Sequence, residues 1–179
     1  MDDVAAISFF TKLWPLFGFI PVVLKFGWRD IKNEFDFTER INKIIVKVDR
    51  LSQDGKVSIV GCSAGGNIAI NVFSKRADAI QKVVNICGAL KFAGTSSKFD
   101  TPIYINSLKI CEKILSEMDG KSKERIMTIR PQFGDEFIKK ETVIIEGAKN
   151  TTIPTGEHMF SILMALTLFS KKIFDFFKK

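Results

Sequence analysis

One histidine and one tyrosine stand among the 179 residues, with only 3 cysteines and 5 prolines. A single histidine leaves no two-histidine metal site, and no metal is expected. Cys62, Cys87 and Cys111 are odd in number and lack C-x-x-C spacing, so neither a disulfide framework nor a zinc knuckle is supported. A reducing, cytoplasmic setting follows as the expectation. Long apolar runs are missing too. The longest, Met159 to Phe169, carries Ser161 and Thr167 and spans 11 residues, where a membrane-spanning helix needs roughly 20. The N-terminal Met1-Asp2-Asp3 is acidic where a signal peptide begins basic, and the apolar stretch behind it is broken by Lys12 and Pro15. With 12 glycines and no repeat or low-complexity tract, fibrous classes are excluded as well.

What is present is ordinary globular material with a phenylalanine excess. Apolar residues make up 46% and charged residues 26%, with 17 Phe. That is enough to bury a core, and the length suits one domain over 1–179. The net charge is +7, but the lysines are scattered as singles and pairs (Lys139-Lys140, Lys171-Lys172, Lys178-Lys179). A solvated basic surface is expected rather than a nucleic-acid stripe.

Periodicity alternates between two kinds. Residues 4–17 have helical spacing, loosened by Pro15. Ile20 to Lys25 is a short β-branched run with the look of a buried strand. Ile41, Ile44, Ile45, Val48 and Leu51 recur at helical intervals, so Asp36 to Gln53 is predicted helical, with Asp36 and Thr38 as candidate N-caps and Gly55 as the stop. Val57 to Val60 is a predicted strand, followed by the turn GCSAGG and a helix through Ala69, Ile70, Val72 and Phe73. A strand over Val83 to Cys87, a loop from Gly88 to Asp100 and a helix from Thr101 to Met118 come next. Arg125 to Arg130 and Thr142 to Glu146 are further predicted strands, and His158 to Phe177 a closing helix. Alternating strands and helices imply an α/β fold, a three-layer α/β/α sandwich on a mainly parallel sheet of about five strands.

The turn carries the chemistry. Gly61-Cys62-Ser63-Ala64-Gly65 fits G-x-S-x-G between a strand and a helix, where small residues let the backbone fold sharply enough to expose the serine hydroxyl. The Ala64 N–H then stands at a helix N-terminus, suited to a developing oxyanion. A phosphate loop is excluded because no G-K-[ST] follows. A serine nucleophile needs a base, and His158, after the last predicted strand, is the only histidine. The orienting acid should follow the preceding strand, where Asp135 and Glu136 both stand in the GDEFI loop. Asp135 is preferred, as the shorter side chain beside a glycine, and Glu136 is the alternative.

The elbow GCSAGG after VSIV, the GDEFI loop and the GEH loop before a closing helix resemble the α/β-hydrolase superfamily, in its small members with little or no cap. The resemblance implies Ser63 as nucleophile, His158 as general base and acid, and Asp135 as the orienting carboxylate. It further implies ester or thioester hydrolysis through an acyl-enzyme, without a cofactor. An acyltransferase with the same triad is the close variant. In that family a strand and glycine-containing loop before the first helix supply a second oxyanion donor. Here Met1, Asp2 and Asp3 take that place, so slow turnover is expected.

Two expectations concern partners. Phe26-Gly27-Trp28 and the phenylalanine count suggest an apolar acyl group on a small-molecule substrate. Phe160, Phe169, Phe174, Phe176 and Phe177, interleaved with Lys171, Lys172, Lys178 and Lys179, suggest a rival reading. It is a catalytically weak or inactive module whose amphipathic helix contacts a partner or an anionic membrane surface.

Overall fold

A computed structural model of the chain describes residues 4–94 and 101–179. Met1 to Asp3, and the end of the loop predicted over 88–100, lie outside the described residues. Four parallel strands form one sheet in the order β1-β2-β3-β4: Val57–Cys62, Ile80–Ile86, Ile126–Pro131 and Lys149–Ile153. Helices α2 (Glu34–Ser52), α3 (Gly65–Lys75) and α4 (Pro102–Glu117) cover one face, burying Ile41, Val48, Ile70, Phe73 and Leu115 with Ile80, Val83 and Ile126. The other face is covered by α6 (His158–Leu166) and α7 (Ser170–Phe177), joined by Trp14 from the N-terminal segment. Short helices α1 (Val4–Phe10) and α5 (Gly120–Lys123) complete the set. This is the α/β sandwich that the alternating periodicity implies.

The sheet has four strands among the described residues, where about five were expected, and two predicted strands fail for different reasons. Ile20 to Lys25 takes no regular secondary structure and joins no ladder. Pro21 lacks the N–H that pairing requires, and Ile20 stays 87% exposed. Thr142 to Glu146 is buried at Val143 and Ile145, yet it leaves a 3-10 turn (Lys140–Thr142) as loop. The reason is Asn150, whose Oδ1 accepts from Ile145 N–H (3.0 Å) and whose Nδ2 donates to Ile145 O (2.7 Å). One side chain thus satisfies both backbone groups that a ladder would otherwise pair. The fourth strand instead begins at Lys149.

Helix boundaries move for equally local causes. Asn33, not Asp36 or Thr38, caps α2, its Oδ1 accepting from Asp36 N–H at 2.9 Å. The stretch 4–17 divides into α1 and a 3-10 turn at Trp14–Phe17. The closing helix is not continuous either. The Leu166 carbonyl accepts from the Trp14 indole (2.9 Å), and the hydroxyls of Thr167 and Ser170 bond back to Leu163 O and Thr167 O. These bonds break the helical ladder and turn the chain. The turn lets α7 bury Ile173, Phe174, Phe176 and Phe177, with Trp14, Phe17 and Phe19 packed on the Phe174 ring. Of the phenylalanines expected to face a membrane or partner, Phe174, Phe176 and Phe177 are therefore core, while Phe169 is half-buried and Phe160 is exposed. Among the described residues, no helix is long and apolar enough to cross a membrane.

Candidate active site

All four strands run parallel, so their C-terminal ends share one edge of the sheet, and the loops leaving them meet there. Ser63 follows β1 at φ 52°, in the left-handed region. For a residue with a Cβ this costs about 1–3 kcal/mol unless its surroundings fix it. They do: Ser63 N–H donates to Ile86 O at 2.9 Å, and Ser63 O accepts from Gly66 N–H at 2.9 Å. Gly61 is required for the same turn, because a Cβ there would lie 2.3 Å from Gly65 O. Gly65 itself has open space around its Cβ position, so the second glycine of the motif is not sterically demanded. Ala64 forms the N-cap of α3, where backbone donors lack intrahelical acceptors.

The acid and the histidine are brought together by the register of β3 and β4. Beyond the paired strands, Gln132 N–H donates to Ile153 O (2.9 Å) and Phe133 N–H to Thr155 O (3.0 Å), zipping the two loops together. Asp135 Oδ1 accepts from the N–H groups of Phe137 (3.0 Å) and Ile138 (2.9 Å). This anchors the carboxylate and leaves Oδ2 to meet His158 Nδ1 at 2.8 Å. On the other side of the ring, His158 Nε2 lies 2.9 Å from Ser63 Oγ. A carboxylate can only accept, so the ring proton belongs on Nδ1 and Nε2 is free to accept from the serine hydroxyl. The side chains of His158 and Asp135 are only 1% and 5% exposed, and the Phe137 ring meets the imidazole edge-to-face at 5.6 Å.

Glu136 takes a different position. Its carboxylate accepts from the His158 backbone N–H at 2.9 Å and 3.2 Å, at the first turn of α6. Glu157 caps that helix, accepting from Met159 N–H and Phe160 N–H. The structure thus places Ser63, His158 and Asp135 in one hydrogen-bonded line and sets Glu136 on the His158 backbone.

Cys62 precedes the serine, and its surroundings push its thiol up to about 12. Cys87, buried at φ 52° in the turn after β2, is raised as well, first by burial and then by nearby acids, Asp135 foremost. Burial disfavours the charged thiolate, so both thiols stay protonated at pH 8. Iodoacetamide at pH 8 is therefore expected to leave both thiols unmodified in the folded chain. Modification within minutes, read by intact mass, would show them to be competing nucleophiles. Among the described residues no three His, Cys, Asp or Glu side chains group as metal ligands.

Phe26 and Trp28, expected near a substrate, pack instead with Phe37 and Tyr104 on the α2 face. Phe133, Phe137, Met159 and Phe160 are exposed large apolar side chains on the segments that carry Asp135 and His158, and Phe137 touches the imidazole. Sequence spacing did not single out these four as a group, although all four lie within two residues of Asp135 or His158.

No protein-family model and no curated protein matches the sequence; the likenesses are structural. A metagenome-derived lipolytic enzyme superposes with a TM-score of 0.54 at 12% identity, over 77% of this chain and 70% of that one. A marine microorganism esterase gives a TM-score of 0.51 at 17% identity, over 78% and 77% of the two chains. A meta-cleavage product hydrolase from Pseudomonas fluorescens gives 0.51 at 16% identity, over 79% and 71%.

Proposed function

We propose that this chain, which has the α/β-hydrolase fold, is a serine hydrolase that cleaves carboxylic esters or acyl thioesters. The observation that carries the reading is the line Ser63 Oγ, His158 Nε2, His158 Nδ1, Asp135 Oδ2, with contacts of 2.9 Å and 2.8 Å. In the reaction, Ser63 Oγ attacks the substrate carbonyl carbon while His158 Nε2 takes its proton. Asp135 holds the ring and stabilises the imidazolium that forms. The carbonyl oxygen gains charge beside the Ala64 N–H at the head of α3, which donates to it. The bond to the leaving oxygen or sulfur then breaks, and His158 returns the proton to that atom. Water, deprotonated by the same nitrogen, releases the acid and restores Ser63.

Phe137, 42% exposed, lies against the imidazole, and Phe133, Met159 and Phe160 are exposed on the same segments, which favours an apolar acyl group. The structural neighbours are described as lipolytic and esterase proteins, in keeping with a small-molecule ester substrate. The competing partner- or membrane-contact reading has less support on α7, where Phe174, Phe176 and Phe177 are buried.

An alkyl fluorophosphonate tests the reading directly, since only an activated serine reacts quickly. One probe per folded chain, located on the peptide containing Ser63, is expected within minutes. A folded chain that stays unlabelled removes the hydrolase proposal.

A further inference from the structure

Beneath the elbow lies a polar side chain that the Ser–His–Asp line does not use. Asn85 interrupts the apolar run of β2, faces Gly61 of β1 and Thr128 of β3 in register, and is fully buried. Its Nδ2 donates to Gly88 O at 2.8 Å, closing the turn that holds Cys87 at positive φ. Its Oδ1 is buried and accepts no hydrogen bond among the described residues. A buried acceptor without a partner is rare and calls for a reason.

The glycines supply it. A Cβ added at Gly66 would lie 1.9 Å from Asn85 Oδ1, and one added at Gly88 would lie 2.3 Å from it. The oxygen therefore rests against both glycines, where only glycine admits so close an approach. Both glycines also border Ser63. Gly66 N–H donates to Ser63 O, and a Cβ at Gly88 would lie 2.3 Å from that same oxygen. Ile86, next to Asn85 on β2, accepts from Ser63 N–H. One amide thus touches the first turn of α3 and the loop after β2, the two segments that hold the serine backbone.

We infer that Asn85 is a positioning residue for Ser63. Nδ2 holds the Gly88 turn, Oδ1 seats the Gly66 backbone, and together they fix the nucleophile oxygen relative to His158 Nε2. The inference rests on the serine-hydrolase reading, because positioning has meaning only for a reacting serine. A left-handed non-glycine residue persists only where its surroundings over-determine it. A Val or Leu at position 85 would fill the space and make neither contact.

The full-length chain serves for the test, with melting midpoint, kcat and KM on a p-nitrophenyl ester, and fluorophosphonate labelling as readouts. Asn85→Ala is expected to lower kcat by about 10- to 100-fold with KM changed less than about twofold, since a misplacement of roughly 1 Å can cost 10² in rate. A residue that only stabilised the fold would lower the midpoint and leave kcat at the parental value well below it. Gly66→Ala should lower both midpoint and kcat, and adding Asn85→Ala should raise the midpoint again, because the clashing oxygen is gone. Gly88→Ala should not be relieved in this way, because Ser63 O still stands 2.3 Å from the new Cβ. If truncation to Ala leaves no folded chain, Asn85→Ser takes its place with the same expectations. Parental kcat in the folded Asn85 variant, or no regain in the Gly66 pair, overturns the inference alone. A parent chain inert to the fluorophosphonate overturns the serine reading and this inference with it.

Discussion

Replacing Ser63 with Ala is expected to abolish ester turnover, with kcat falling by about 10⁶, the loss seen when a triad serine is removed from a protease of unrelated fold. The fold should barely notice. The substitution keeps the Cβ, so the left-handed backbone at φ 52° carries the same strain as before. It opens no cavity larger than one oxygen. What it removes is the contact of Ser63 Oγ with His158 Nε2 at 2.9 Å, a hydrogen bond worth about 1 kcal/mol net. At this chain length that corresponds to a change in melting midpoint of about 2–4 °C. Paired measurements of turnover and thermal unfolding check both halves. Turnover within tenfold of the parent would remove Ser63 from the mechanism. A loss of folding would mean that the hydroxyl, and not only the backbone around it, holds the elbow.

The alternation of periods made the α/β layering legible in the sequence, because strands buried on both faces and amphipathic helices leave different marks. The elbow was legible for a similar reason: a strand, a small-residue turn and a helix in succession form one local unit. Two strand assignments were not legible, and the causes are tertiary. Thr142 to Glu146 has the β-branched composition of a strand, but the decisive partner is Asn150, whose side chain takes up both Ile145 backbone groups. Lys149–Ile153, which does pair with β3, is mostly polar and has no apolar run to announce it. The break near Thr167 depends on the indole of Trp14, 152 residues away along the chain, which no local window contains.

Around the candidate site, composition could nominate two carboxylates but could not orient either of them. Asparagine within the apolar run VVNIC was a visible interruption, and such a polar residue in a buried strand asks for a partner. Its partners, Gly66 and Gly88, lie on two other segments, and that placement needed the fold.

The two neighbouring acids give the second large effect. Asp135→Asn is expected to lower kcat by about 10⁴, by analogy with the same exchange in the serine-protease triad. The cause is the tautomer. Asp135 Oδ1 is engaged by the N–H groups of Phe137 and Ile138, and Oδ2 faces His158 Nδ1. An asparagine keeps its carbonyl oxygen toward those two backbone donors, so its NH2 must turn to Nδ1. The ring then accepts at Nδ1 and carries its proton on Nε2, where it can no longer take one from Ser63. Glu136→Gln makes an informative contrast. Glu136 accepts from the His158 backbone N–H, a bond that a glutamine carbonyl also accepts, so kcat should fall by less than about tenfold, as for the loss of a charge on a bond that survives. Melting curves of both variants should stay near the parent, because each replacement has the same size and shape. Initial rates on a p-nitrophenyl ester decide the matter. Should Glu136→Gln prove the more damaging, the ring would be oriented by Glu136 during turnover, and the Asp135 contact would belong to a resting arrangement.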